Sequence, residues 1–122
     1  MRIGTDIVEV ARITQAIVNE RKRFLERVFT INEIKEIDGI DPNYERAAGF
    51  WAAKESIVKA AGYGFSNGIS FHDIEVTHNE RGMPAFILKG RLKEIFHEKN
   101  ITNISLSISH CGTHAIAATI IY

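Results

Sequence analysis

Glu55 and Lys59 lie four residues apart in Phe50-Trp51-Ala52-Ala53-Lys54-Glu55-Ser56-Ile57-Val58-Lys59-Ala60-Ala61-Gly62, a stretch otherwise rich in apolar and small residues. At helical i, i+4 spacing the two side chains point the same way. On an exposed face such a pair contributes only about 0.2–0.5 kcal/mol. A helix that is apolar round most of its circumference is usually buried on several sides, however, and a carboxylate there requires a charged partner. A divalent cation is one such partner. Magnesium takes one or two carboxylates and completes its octahedron with waters and phosphate oxygens. Lys59 is then the phosphate-side candidate. Lys54 stands about 140° further round the helix and cannot address the same point.

A second carboxylate, Asp6, follows the short apolar start Ile3-Gly4-Thr5. Two readings stand side by side for it: a metal ligand delivered at the exit of a strand, or the N-cap of the next helix. Gly62 either ends the long helix or lets backbone approach a ligand closely. Ser109-His110 sits on a strand-to-strand loop ending in Gly112, where imidazole and hydroxyl can donate to a phosphate or ribose, or simply meet solvent. The other histidines show no metal-ligand spacing, and no Ser/His/Asp relay can be read along the chain. Residues 12–27 concentrate positive charge, with Arg12, Arg21, Lys22, Arg23 and Arg27 against Glu20 and Glu26. Such a run is ordinarily a solvated face; Phe24 and Leu25 within it could alternatively anchor a partner while the arginines read its carboxylates or phosphates.

The elements that must position these residues follow from periodicity and punctuation. Ile3 to Asp6 reads as a strand, and Ile7, Val10, Ile13 and Ile17 recur at helical intervals to about Asn19. Thr30-Ile31-Asn32-Glu33 fits a capping box for a short helix ending near Asp38-Gly39. Asp41-Pro42 suggests the start of the long central helix, running from about Pro42 to Ala61. Ile69 to Thr77, interrupted near His72-Asp73, pairs across Asn79-Glu80-Arg81-Gly82 with Ala85 to Leu88. Leu92, Ile95 and Phe96 mark a helix between Gly90 and Asn100, and strands at Ile104–Ile108 and Ala115–Tyr122 close the chain. The expected class is α+β: a mainly antiparallel sheet packed with one long central helix and shorter helices.

The 122 residues predict one domain, 1–122, with 45% apolar and 25% charged residues, as in ordinary globular proteins. A formal net charge of zero argues against a general nucleic-acid binder. The single cysteine, Cys111, excludes an intrachain disulfide. No apolar run approaches the roughly 20 residues of a membrane helix. The N-terminus meets Asp6 too soon for a signal peptide, so a cytoplasmic location is the default expectation.

Two blocks in register then carry a resemblance. Gly4-Thr5-Asp6-Ile7-Val8 with Arg12-Ile13, and Trp51-Ala52-Ala53-Lys54-Glu55 with Lys59-Ala60 and Gly62, resemble the holo-acyl-carrier-protein synthases, the small bacterial 4′-phosphopantetheinyl transferases. Arg23-Phe24 near Arg27, Phe71-Asp73-Ile74 and Ser109-His110 extend the likeness over nearly the whole chain.

The resemblance implies an enzyme that moves the phosphopantetheine arm of coenzyme A onto a serine of apo acyl carrier protein in fatty acid biosynthesis, leaving 3′,5′-ADP. It implies that Asp6 and Glu55 hold Mg2+ against the pyrophosphate, that Lys59 neutralises phosphate charge, and that Glu55 takes the serine proton directly or through a water. Gly62, Ser109 and His110 would line the coenzyme A site, the last two from a neighbouring subunit of a homotrimer. Arg12, Arg23, Phe24 and Arg27 would dock the acidic helix of the carrier. Many members carry arginine where this chain has Phe50; Arg46, one turn earlier, is a candidate replacement. The rival from another class is a non-enzymatic module binding an acidic protein or RNA through residues 12–27, which leaves the Asp6 and Glu55 blocks without a use.

Overall fold

The computed structural model describes residues 1–122. In chain order the elements are β1 (Arg2–Glu9), α1 (Val10–Glu20), α2 (Lys22–Val28), α3 (Ile31–Ile37), α4 (Tyr44–Ala60), a 3-10 turn (Phe71–Asp73), β2 (Ile74–His78), β3 (Pro84–Leu88), α5 (Gly90–Glu98), β4 (Ile104–His110) and β5 (His114–Ile121). Both sheets are antiparallel: β1-β5-β4 form one, and the hairpin β2-β3 forms the other. The α+β expectation holds, with the strands divided between two sheets.

Several boundaries differ from the sequence expectation, each for a physical reason. Ile7 belongs to β1 and not to α1, because β1 pairs with β5 from Arg2↔Ile121 through Glu9↔His114. That ladder overrides the helical periodicity, and α1 begins at Val10, whose N–H donates to the Thr113 carbonyl at 2.9 Å. Asp6 is therefore neither at a strand exit nor a helix cap; it sits within the ladder opposite Ala117. The central helix starts at Tyr44, and its cap is Asn43, whose side chain accepts from the Arg46 N–H, leaving Asp41-Pro42 in the preceding loop. Ser109 and His110 are the last residues of β4 and not loop residues. The capping box at Thr30 and Glu33 forms as read.

Helix α4 is buried along most of its length and organises two apolar clusters. Its first half packs with α1, α2 and α3 through Ile13, Ile17, Phe24, Val28, Phe29 and Phe50. Its second half packs with β2 and α5 through Ile57, Val58, Ile74, Leu92 and Ile95. The helix also lies across β1 and β5. Gly4 permits that contact: a Cβ there would stand 2.0 Å from the Ser56 carbonyl oxygen and 2.4 Å from the Ala60 nitrogen. Buried Thr119 on β5 fastens the same crossing, its hydroxyl 2.6 Å from that of Ser56.

Candidate active site

The strand period places Gly4, Asp6 and Val8 on one face of β1. The close crossing at Gly4 brings the α4 backbone onto that face, so Asp6, two residues on, meets the Lys59 side chain from the same stretch of α4. Lys59 donates to Asp6 Oδ1 at 3.0 Å and to the Thr5 carbonyl at 3.1 Å. Asp6 Oδ2 is buried and has no hydrogen-bond partner. A buried carboxylate oxygen left in that state is costly, and it marks a place built to receive a donor or a cation. Glu55 is half-buried in the same cluster. Its carboxyl titrates above the usual range, first because burial disfavours the charged form and then because Asp6 repels it; Lys59 opposes both.

The cluster thus holds two carboxylates against one ammonium. No group of three or more histidine, cysteine or acidic side chains gathers anywhere to form a closed metal cage. Two carboxylates with open positions suit magnesium completed by substrate phosphates and water, and the unpartnered Asp6 Oδ2 fits that donor set. Lys59, expected on the phosphate side, is found paired with Asp6, its side chain half-exposed at the mouth of the site. Gly62 follows the C-cap Ala61 with φ +85°, a backbone conformation in which a side chain is strained, and a Cβ there would meet Arg2 Nη1 at 2.8 Å. The helix-ending reading of Gly62 is thereby accounted for.

Ser109 and His110 part company because neighbouring strand residues face opposite ways. Ser109, Ser107 and Thr5, on the sheet face turned away from α4, line a cleft of about 410 Å³ that Asp6 and Lys59 also reach. His110 turns to the other face, where its Nδ1 lies 2.9 Å from Glu45 Oε1. There it shares a smaller cleft of about 270 Å³ with Arg46, Phe50 and His78. Arg46 itself donates to the Glu36 carbonyl at 3.0 Å.

The basic segment also divides. Arg12 lies exposed on α1 and Arg23 on α2, neither in an ion pair, while Arg27 pairs with Glu20 at 3.2 Å. Phe24, read from the sequence as a surface anchor, is only 4% exposed. Its ring stacks on Trp51 and meets Phe29 edge-on, with the Arg27 guanidinium above it at 5.6 Å. Phe24 is therefore a core residue that supports Arg27 from beneath.

A buried ionic network escaped the sequence reading. Lys54 Nζ lies 2.7 Å from Glu33 Oε1, both side chains fully buried, and donates to the carbonyls of Val28, Phe71 and Ile74. Burial lowers the Lys54 pKa, against the opposing pull of Glu33 and then Glu75. The Lys54 pattern left one clue, since a lysine one position from Glu55 on a buried helix must point into packed elements. Glu33 left none, because its capping box already gave it a partner.

The chain matches the model of the 4′-phosphopantetheinyl transferase superfamily over residues 2–119. It is 49% identical to a holo-[acyl-carrier-protein] synthase of Thermoanaerobacter sp. (strain X514) over 97% of this chain and 84% of that protein. It is 42% identical to the holo-[acyl-carrier-protein] synthase of Verminephrobacter eiseniae, over 99% of this chain and 92% of that one. The crystal structure of the Helicobacter pylori holo-[acyl-carrier-protein] synthase in complex with coenzyme A superposes with a TM-score of 0.87 at 34% identity, covering 98% and 99% of the two chains.

Proposed function

The chain belongs to the 4′-phosphopantetheinyl transferase superfamily, and on that premise we propose that it transfers the 4′-phosphopantetheine group of coenzyme A to a serine of apo acyl carrier protein. The products are holo acyl carrier protein and 3′,5′-ADP, in the service of fatty acid biosynthesis in the cytoplasm. The single observation that carries the site assignment is the Asp6–Glu55–Lys59 cluster with its unpartnered Asp6 oxygen.

Asp6 and Glu55 would hold Mg2+, which would supply charge stabilisation to the pyrophosphate. Lys59 exchanges its contact with Asp6 for a phosphate oxygen and offsets the growing negative charge there more than in the ground state. Glu55 takes the proton of the carrier serine directly or through one water. The serine oxygen then bonds to the phosphorus on the pantetheine side, and 3′,5′-ADP leaves. Thr5, Ser107 and Ser109 offer hydroxyls along the adjoining cleft for phosphate or ribose oxygens.

A homotrimer is part of the same proposal. The sheet face that carries this cleft exposes Ile3, Ile7 and Ile116, at 64%, 67% and 47%, and a neighbouring copy seated there would wall the coenzyme A site. Arg12, Arg23 and Arg27 meet the acidic helix of the carrier, Gly62 and His110 border coenzyme A, and 1–122 acts as one domain.

Incubating the protein with coenzyme A, Mg2+ and apo carrier protein tests the reading. A mass gain of one phosphopantetheine on the carrier is expected, abolished by a chelator and restored by Mg2+. No gain with any divalent metal overturns it.

A further inference from the structure

The buried ionic network holds more negative charge than its own cation answers. Glu33, Lys54 and Glu75 are 0%, 0% and 5% exposed, two carboxylates against one ammonium. Lys54 is already fully engaged: Glu33 Oε1 and the carbonyls of Val28, Phe71 and Ile74 surround a nitrogen with three N–H donors. Glu33 is satisfied too, its Oε1 accepting from the Thr30 N–H at 2.8 Å and its Oε2 from the Val76 N–H at 2.7 Å. Glu75 is the exception. Its Oε1 accepts from the Thr30 hydroxyl and, at 3.3 Å, from the Asn32 amide, both neutral donors. Its Oε2 accepts no hydrogen bond, and the side chain makes no ion pair.

A carboxylate so deeply buried without a cation is costly, and this one is not sealed in. Glu75 lines a cleft of about 740 Å³ between the end of α2, the start of α3 and β2. Oε2 keeps contact with that opening, since the one fully enclosed side-chain oxygen without a partner is Asp6 Oδ2. Phe29, half-buried Ile34 and Ile31, which is 75% exposed, give the cleft an apolar wall. Glu26 adds a second carboxylate, held only by Lys22 in a well-exposed contact at 3.5 Å, worth little in water. Lys89 is exposed, makes no ion pair and is the single lysine or arginine in the wall.

Buried negative charge beside an apolar wall suits a cation carried on an aliphatic stem. A phosphate or carboxylate ligand would meet Glu26 and Glu75, so the cleft has the wrong charge for coenzyme A or for an acidic protein. A divalent metal ion is poorly served as well, because no group of three or more acidic, histidine or cysteine side chains converges.

We propose that the cleft between α2, α3 and β2 binds a primary alkylammonium group, which donates to Glu75 Oε2 and lays its stem against Ile31 and Ile34. Thr30 and Asn32 hold Oε1, which leaves Oε2 oriented for a charge-assisted bond in a site of low polarity. The group belongs to a free amine or to a lysine side chain of another protein. The site stands whether or not the chain performs the transfer reaction.

Titration of the full chain with n-butylammonium chloride at low ionic strength, followed through the amide NMR signals of Thr30, Asn32 and Glu75, is the test. Saturable shifts with a Kd of about 1 mM are expected for so small a ligand, and none with n-butanol, which has the stem without the charge. Glu75→Gln keeps an acceptor for Thr30 and Asn32 and should weaken binding roughly ten-fold or more. Ile31→Ser, at an exposed position, should weaken it about three-fold. N-acetyl-lysine amide separates the two sources: tighter binding than butylammonium assigns the site to a protein side chain, and equal or weaker binding to a free amine. No saturable shift overturns the proposal, as does undiminished binding by Glu75→Gln or, where that variant does not fold, by Ile31→Ser. Binding that appears only in Lys89→Ser also overturns it, since Lys89 would then be the cation that Glu75 already owns.

Discussion

Between Asp6 and Glu55 the fold keeps two like charges close with one lysine to share, and the consequence is an opposition between stability and activity. The Glu55 carboxyl binds its proton more tightly in the folded protein than in the unfolded chain, through burial first and Asp6 second. A group with a raised folded pKa contributes stability that is full below its unfolded pKa and is lost as pH rises through its folded pKa. At neutral pH the wild-type carboxylate therefore sits in a disfavoured state unless a cation joins it. Glu55→Gln is expected to raise the metal-free melting temperature at pH 7 by roughly 1–3 °C, a small shift because the group is part-exposed. Below the pKa of glutamate in the unfolded chain the difference should vanish. Transfer should meanwhile fall by about 10²–10⁴-fold, the range for loss of a positioned base. Melting curves across pH 4–8 with and without Mg2+, beside turnover, check all three. Full turnover by Glu55→Gln at saturating Mg2+ would remove both its metal and its base role. The residues of this cluster were legible in the sequence because a helix repeat set Glu55 beside Lys59. Their pairing with Asp6 rested on a resemblance, since nothing local to residues 1–10 reveals which helix crosses β1.

At the scale of elements, α4 is the part on which the site depends, and two contacts set its position. Gly4 sets the approach of β1: Gly4→Ala places a methyl group 2.0 Å from a main-chain oxygen, which no side-chain rotation relieves. The strand and helix must part, at a cost of about 1–3 kcal/mol, and Asp6 must move away from Glu55. Urea unfolding together with Mg2+ affinity is the measurement; a stable variant with unaltered affinity would show that the crossing has slack. Lys54 sets the rotation of α4, because its three carbonyl contacts and Glu33 surround one nitrogen and hold α2, the 3-10 turn and β2 to the helix. Lys54→Met leaves Glu33 charged and buried without its partner, and a loss of about 3–5 kcal/mol is expected. Adding Glu33→Gln should recover part of that loss, giving a coupling that a double-mutant cycle reads. Here the limit of the sequence has a clear physical form. The Thr30–Glu33 box, α5 and the turn of the β2-β3 hairpin were readable because their determinants lie within a few residues of one another, whereas the strand expected from Ile69 begins only at Ile74, after the 3-10 turn Phe71–Asp73. The start of α1 and the partner of Lys54 were not, since a strand ladder and a packed core decided them from a distance.

For the molecule as a whole, the distribution of apolar surface is the observation that supports the proposed assembly. One face of the β1-β5-β4 sheet is covered by α4, as an antiparallel sheet requires for its core. The other presents Ile3 and Ile7 on β1, and Ile116 with half-buried Ala118 and Ile120 on β5, bordered by Ser105, Ser107 and Ser109 on β4. Apolar side chains continuous across neighbouring strands are the pattern of an association surface rather than of scattered exposed residues. The zero net charge leaves little long-range repulsion between copies. Closed symmetry buries such patches without leaving one free to recruit further chains. Ile7→Asp places a charge where a partner's apolar surface is expected and touches nothing in the core of its own chain, being 67% exposed. The parent should sediment as a trimer, and the variant should keep its circular dichroism spectrum and sediment as a monomer. Its kcat/KM for coenzyme A should fall by about 10²-fold, as expected when a positioning wall is lost. Asp6 and Glu55 come from a single chain, so Mg2+ should still bind the monomer. A monomeric variant with full turnover would show that the cleft over Thr5, Lys59 and Ser109 is complete without a neighbour, and an unchanged assembly would locate the interface elsewhere.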